Sequence, residues 1–221
     1  MVSRVTVLAE GYVREESGVM FASSTIVLIE DNGQKILVDP GANREVLLDA
    51  LEKETLKPED IDLIFLTHYH PDHTLNLRLF PRKKILDGGT VYYDDREELY
   101  EEVIPGTEIS VVKTPGHTPE HCSLMVKTEK GRVCISGDVF WWTEKEEQKM
   151  DHDSMMFHED KYATDFEQLK ESRKNLLDSS DYIIPGHGKT FKTQDILKES
   201  TFKPSEFAIS KTDNPLSQET R

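Results

Sequence analysis

Apolar residues in this chain come in short runs separated by turn-forming residues. Ser24-Thr25-Ile26-Val27-Leu28-Ile29-Glu30 is rich in β-branched residues and reads as a strand. Asp31-Asn32-Gly33-Gln34 carries the Asn-Gly signal of a tight hairpin, and Lys35-Ile36-Leu37-Val38-Asp39 is the return strand, stopped by Pro40-Gly41. Val46, Leu47, Leu48 and Leu51 then recur at helical spacing. Pro58 opens a short segment leading into Ile61-Asp62-Leu63-Ile64-Phe65-Leu66, an apolar run typical of a buried strand. A second set of strands is predicted over 89–93, 108–114, 122–127 and 132–137. Residues 162–177 are amphipathic, with Phe166, Leu169, Arg173, Leu176 and Leu177 near one helical face, and 181–184 is a final strand. Strands followed by a helix, twice over, predict an α/β (α+β) fold in which two sheets pack together with helices outside.

The chain has 221 residues, enough to bury a core without disulfide support, and no internal repeat or low-complexity linker divides it. Residues 1–200 are read as one domain. From about Thr201 the composition turns polar, with Lys203-Pro204-Ser205 and Asp213-Asn214-Pro215, so residues 201–221 are expected to form a loosely ordered tail. The net charge is −15, from 42 acidic against 27 basic residues, which disfavours a nucleic-acid partner because such binding rests on basic side chains neutralising phosphates. Arg82-Lys83-Lys84 is the only basic cluster, and a solvated turn explains it. Cys122 and Cys134 flank the predicted turn Thr128-Glu129-Lys130-Gly131 out of register with each other, so no disulfide is expected. The start, Met1-Val2-Ser3-Arg4-Val5, has no signal-peptide core, and no apolar run approaches the ~20 residues of a membrane span. The expectation is a cytoplasmic protein with no membrane partner.

Chemistry enters where the strand ending at Leu66 runs into Thr67-His68-Tyr69-His70-Pro71-Asp72-His73. Residues two apart in extended chain face the same way, so His68 and His70 can reach one metal ion together. Asp72 and His73 lie past Pro71, where the chain must turn, and can face a second ion. Other predicted strand ends carry further donors: His117 in Thr114-Pro115-Gly116-His117-Thr118, Asp138 in Ile135-Ser136-Gly137-Asp138, and His187 in Ile184-Pro185-Gly186-His187-Gly188. His117 would complete a three-histidine site, His187 would join Asp72 and His73, and Asp138 can bridge the two ions. Neighbouring glycines let the backbone turn sharply near the ions. His152 and His158 are expected to be structural, and His121 to lie behind the ligands or at the surface.

The run His68-Tyr69-His70-Pro71-Asp72-His73 resembles the signature of the metallo-β-lactamase fold hydrolases. So do Asp39-Pro40-Gly41, Gly116-His117-Thr118, Gly137-Asp138 and Pro185-Gly186-His187-Gly188, in the family's order. The resemblance implies a four-layer αββα sandwich with a dinuclear site at one edge. It gives His68, His70 and His117 to the first metal, Asp72, His73 and His187 to the second, Asp138 as the bridge, and Asp39 as the group orienting a ligand histidine. It also implies two divalent ions, zinc in the first instance, with iron or manganese compatible with the same donors. Asn76-Leu77 with Leu79-Phe80-Pro81, Gly137-Asp138-Val139-Phe140 and Ser172-Arg173-Lys174 resemble, more narrowly, small single-domain members assigned ribonuclease activity on histone pre-mRNA in animals.

The expected function is therefore a metal-dependent hydrolase using a dinuclear-site hydroxide, with Asp72 catalytic, on an ester, thioester, lactone or similar small molecule. A phosphodiesterase or ribonuclease is the alternative, opposed by the charge, and an iron-dependent oxygenase of the same fold is the second. Leu75-Asn76 stands where glyoxalase II relatives carry Gly-Gly. The aspartate at 72, and an aspartate rather than a cysteine near 138, depart from common β-lactamases. Lys189, Trp141 and Trp142 are candidate substrate contacts, within a polar segment to about Asp165 read as a cleft wall or lid. The Trp141-Trp142 pair, read as exposed, is also a candidate contact for a homodimer.

Overall fold

The structure is a computed structural model in which residues 2–196 are described. The predicted tail, 201–221, lies outside the described residues. In chain order the elements are β1 (Arg4–Ala9), β2 (Tyr12–Glu16), β3 (Val19–Ser23), β4 (Ile26–Asp31), β5 (Gln34–Val38), α1 (Arg44–Lys53), β6 (Leu63–Phe65), α2 (Pro71–Thr74), β7 (Lys84–Leu86), β8 (Thr90–Tyr93) and β9 (Arg96–Leu99). There follow β10 (Ser110–Lys113), β11 (Cys122–Thr128), β12 (Gly131–Trp141), α3 (His152–Phe157), α4 (Phe166–Ser179), β13 (Tyr182–His187) and β14 (Phe191–Lys192).

Among the described residues these strands form a seven-stranded sheet in the order β1-β4-β5-β6-β7-β8-β9, a five-stranded sheet in the order β10-β11-β12-β13-β14, and the separate hairpin β2-β3. Side chains alternate faces along a strand, and here both faces are buried. In β4, Val27 and Ile29 join Ile36, Val38 and Phe65 against Val126, Val133, Ile135 and Ile184 of the second sheet. The intervening Ile26 and Leu28 pack instead with Leu37, Ile64 and the α1 residues Leu47 and Leu51. On the far side of the second sheet, Cys134, Phe140 and Ile183 pack against Leu169 and Leu176 of α4. The layers are thus helix, sheet, sheet, helix: an αββα sandwich.

The hairpin at Asn32-Gly33 forms as expected, with φ of 48° and 82° at its two central residues and Asp31 paired to Gln34. Cys122 and Cys134 are free and buried, and Cys134 pairs with Met125 across the ladder, which keeps the thiols apart. Helix α4 begins at Phe166, four residues later than its amphipathic pattern, because Asp165 caps it by accepting from Gln168 N–H. No helix among the described residues is long and apolar enough to cross a membrane.

One expectation is overturned. Trp141 and Trp142 are not an exposed pair: they are 4% and 5% exposed. Trp141 ends β12, and Trp142 packs near Phe140 and Phe191 with ring centroids 6.4 and 6.2 Å away. The pair offers no open surface to a second copy.

Candidate metal centre

Strand order brings the donor-bearing segments together at one sandwich edge. Strands β5 and β6 are parallel, as are β12 and β13, so their C-terminal ends reach the same rim. His68 follows β6, and His70 precedes α2, which Pro71 starts at its first position, where a missing N–H costs nothing. Asp72 and His73 are carried by α2. The loop after β10 supplies His117, β12 supplies Asp138 and the end of β13 supplies His187. The crowding leaves no space for side chains elsewhere: a Cβ on Gly186 would lie 1.8 Å from Asp138 Oδ1. Gly137, with φ of 51°, lets the chain bend just before Asp138.

Two groups of donor atoms result. His68, His70, His117 and Asp138 offer one atom each within 4.8 Å of one another, and Asp72, His73 and His187 do the same. Asp138 connects them. Its Oδ2 lies 3.4 Å from His117 Nε2 and 3.8 Å from His68 Nε2, while its Oδ1 lies 3.2 Å from His73 Nε2 and 3.6 Å from His187 Nε2. Asp72 Oδ2 is 3.1 Å from His187 Nε2, and His70 Nδ1 is 3.0 Å from His117 Nε2.

Behind the donors a further set of bonds fixes each imidazole. Asp39, at φ of 47°, accepts from Thr67 N–H (2.9 Å) and Thr67 Oγ1 (2.7 Å), and from His73 Nδ1 (2.8 Å). A carboxylate only accepts, so His73 carries a hydrogen on Nδ1, and Nε2 is the nitrogen that faces inward. Because the Thr67 hydroxyl hydrogen goes to Asp39, His68 Nδ1 donates to Thr67 Oγ1 at 3.0 Å. His117 Nδ1 donates in the same way to Asp160 Oδ2 at 2.7 Å. His121 Nε2 accepts from Asp138 N–H at 3.1 Å, and its Nδ1 donates to Thr114 Oγ1 at 2.9 Å. His121 therefore lies behind the donors, buried, and grips the backbone of Asp138. Asn76, also buried, donates to Pro40 O at 3.1 Å and ties α2 to the Asp39 turn.

The electrostatics follow from burial and from these pairs. Burial pushes His68 well below the ordinary imidazole value. Burial acts the same way on His73, but the carboxylates of Asp138 and Asp39 outweigh it and hold its pKa well above. Burial would raise Asp138, yet the charges of His73 and His187 keep it well below the usual carboxylate value. Asp72 is likewise lowered, the hydrogen bond from His187 overcoming burial.

This donor set fits a divalent cation. Buried polar atoms are almost always hydrogen-bonded, yet His68 Nε2, His73 Nε2 and Asp138 Oδ1 have no hydrogen-bond partner among the described residues. All three face the cluster, and imidazole nitrogen with carboxylate oxygen suits zinc and its neighbours.

The cleft over the donors measures about 400 Å³ and is lined by Val13, Met20, Leu75, Trp141 and Tyr162 together with His70, Asp72, Asp138 and His187. Of the three candidate substrate contacts, only Trp141 reaches it. Trp142 and Lys189 line a different cavity with Gln148 and Phe191. Neighbouring residues in extended chain point to opposite sides, which separates the two tryptophans. The backbone of Lys189 is clamped to the Gln148 amide by bonds of 2.8 and 2.9 Å beyond Gly188, whose φ is 114°. Asp160, Thr67 and Tyr162 are parts of the site that the sequence reading did not single out. Thr67 stood beside His68 in the motif, whereas nothing in spacing tied Asp160 to a histidine 43 residues away.

The fold and the donor set have counterparts. Residues 19–105 match the family model of the metallo-beta-lactamase superfamily. Metallo-beta-lactamase domain-containing protein 1 of Xenopus laevis is 35% identical over 199 residues, covering 85% of this chain and 81% of that protein. The chain belongs to the metallo-beta-lactamase superfamily. Divalent metal binding goes with that fold, and the superfamily's structural neighbours are metal-dependent hydrolases. The human protein of the same name is 34% identical over 177 residues, 75% of this chain but 61% of its own length, so this superfamily member spans less than two thirds of it. Among solved structures, a Thermotoga maritima protein assigned to the metallo-beta-lactamases aligns with a TM-score of 0.63 at 19% identity, over 87% of this chain and 100% of that one. An N-acyl homoserine lactone hydrolase, with N-hexanoyl-L-homoserine bound at its catalytic metal centre, aligns at 0.53 and 18% identity, over 80% and 89% of the two chains. At such identities these structures share the fold.

Proposed function

We propose that the protein is a hydrolase of carboxylic esters, thioesters or lactones that works with two divalent ions, zinc in the first instance. The observation that carries this reading is Asp138, whose two oxygens face the two donor groups separately, so that one carboxylate can serve both ions. His68, His70 and His117 would hold one ion and Asp72, His73 and His187 the other. When bound, the ions would acidify a water and polarise the substrate's carbonyl oxygen. The chain's own residues do the rest. Asp72, which lines the cleft beside the other donors, would hold the attacking water and take up its proton. Asp39, through His73, and Asp160, through His117, keep both imidazoles in the tautomer that leaves Nε2 free. Trp141 and Tyr162 would wall the cleft against bulk water.

The cleft gives the phosphodiesterase alternative no support, because no Lys or Arg among the described residues lines it. The iron-dependent oxygenase shares the donor set, so elemental analysis separates it.

Elemental analysis of the purified protein, joined to a panel of esters, thioesters, lactones and phosphodiesters, tests the proposal. Zinc near two equivalents per chain with ester, thioester or lactone turnover is expected. His68→Ala should lose both metal and turnover. Full metal and undiminished turnover in that variant would refute the ligand assignment.

A further inference from the structure

Exposed apolar side chains gather at the mouth of the cleft. Met20, Leu75 and Tyr162 are 48%, 54% and 49% exposed and all three line it. Apolar surface residues scattered singly need no explanation, but several around one concavity mark a binding surface. The β2-β3 hairpin shows how they come to be there. Val13 pairs directly with Ala22, and Met20 lies two residues from Ala22, so the three share one face of the ribbon, and all three line the cleft. The other face carries Tyr12, Arg14 and Phe21, with the guanidinium 4.7 Å from one ring centroid and 5.2 Å from the other. Arg14, further held by Glu16 at 2.8 Å, is thereby kept off the cleft face. Lys161 approaches the Tyr162 ring, at 5.0 Å, but does not line the cleft. Trp141 and Tyr162 line the same cleft with ring centroids 5.7 Å apart. The walls are apolar, the floor is the donor cluster, and among the described residues no Lys or Arg in the lining awaits a carboxylate or phosphate.

We infer that this cleft takes the apolar acyl chain of its substrate, held by the hairpin face of Val13, Met20 and Ala22 together with Leu75, Trp141 and Tyr162. The inference rests on the hydrolase reading above and adds which half of the substrate the protein recognises. A volume of about 400 Å³ lies within the range of small-molecule sites. In the reaction the water oxygen bonds to the acyl carbon, the acyl carbon–oxygen or carbon–sulfur bond breaks, and the departing oxygen or sulfur takes the proton. The product acid retains the chain. Selectivity comes from removing that chain from water, which scales with the apolar area covered.

The test compares kcat/KM of the zinc-loaded protein on the p-nitrophenyl esters of acetate, butyrate and octanoate, which share one leaving group. Activity should rise with chain length, with octanoate at least about tenfold above acetate. Met20→Gln and Leu75→Gln, both at exposed positions that leave the core intact, should each cut the octanoate-to-acetate ratio by about threefold, with unaltered melting temperature. Activity that is flat or falls with chain length, or a ratio untouched in both variants, would overturn the acyl-chain site and leave the hydrolase reading standing. If none of the three esters is hydrolysed, the same comparison is made on the acetyl, butyryl and octanoyl thioesters of one thiol; hydrolysis of neither series, nor of any lactone in the panel above, would overturn the hydrolase reading and this inference with it.

Discussion

At the scale of single residues, the site depends on groups that never touch a substrate. Asp160 accepts from Tyr162 N–H through Oδ1 at 2.9 Å and from His117 Nδ1 through Oδ2 at 2.7 Å, and the second bond decides which nitrogen of His117 faces the donor cluster. Its own acidity is enhanced by that bond, which overcomes the opposing effect of burial. Asp160→Asn keeps the shape but loses the charge and has one acceptor oxygen for two N–H donors, and zinc affinity should fall about 10- to 100-fold. Competition with a chromophoric chelator measures it. His121 makes a different prediction. Burial pushes its pKa down to about 3 from an ordinary 6.5. Between those values the unfolded chain takes up a proton that the folded one refuses, so stability falls as pH falls from about 6.5 towards 3, by up to ~1.4 kcal/mol per pH unit. His121→Gln can still accept from Asp138 N–H and lacks the titrating proton. The acid limb of urea midpoint against pH should therefore flatten in that variant.

How much of this was legible beforehand differs by residue. The seven candidate donors were visible because each lies within two residues of a glycine, a proline or another histidine, a local signal. Asp160 lacked one, since its partner is contributed by another loop and the surrounding polar segment looks like any solvated surface. Tyr69 is a similar case. It sits between His68 and His70, and its hydroxyl bonds to Asp87, which also accepts from Tyr92. The sequence marked the histidines and left the tyrosine silent, because its anchor lies beyond the next strand.

At the scale of elements, the second half of the chain is organised by a buried cation. Arg173 of α4 is fully buried and donates through Nε to Val139 O (3.0 Å) and through Nη1 to Met156 O (3.2 Å) and His158 O (2.7 Å). It therefore joins α4, β12 and the segment that carries Asp160. Burial lowers its pKa to about 10, which still leaves it charged at neutral pH. Arg173→Met would fill much of the space yet strand three carbonyls. At roughly 1 to 3 kcal/mol for each buried group left unpaired, stability should drop by about 3 kcal/mol or more. An unchanged urea midpoint would show that water reaches those carbonyls instead. The amphipathic pattern placed Arg173 on the buried face of its helix correctly. It could not say why an arginine belongs there, because the three acceptors come from separate segments. Strand β12 was underestimated for a related reason. Its predicted end was Gly137, a residue that usually punctuates, but the strand continues to Trp141 through register shifts around Gly137.

At the scale of the whole molecule, the two sheets are held together by apolar side chains between them and meet again at the donor cluster. His68, His70, Asp72 and His73 follow the central strand of the first sheet, whereas His117, Asp138 and His187 belong to the second. An ion that binds the folded chain alone stabilises it by mass action, ~2.7 kcal/mol at a free concentration a hundredfold above its Kd. Stripping with a chelator should accordingly lower the melting temperature by several degrees, and zinc should restore it. The αββα layering could be anticipated from strand-helix alternation. The β2-β3 hairpin could not, since it belongs to neither large sheet and its exposed apolar tip resembles neither a core strand nor a polar loop.

That division of donors between the two halves bears on how the protein matures. Neither half alone offers a complete set, so a nascent or misassembled chain has nowhere to keep an ion securely. On the two-ion reading, metal content in a preparation would then be a census of chains whose halves have come together correctly, readable before any substrate is known.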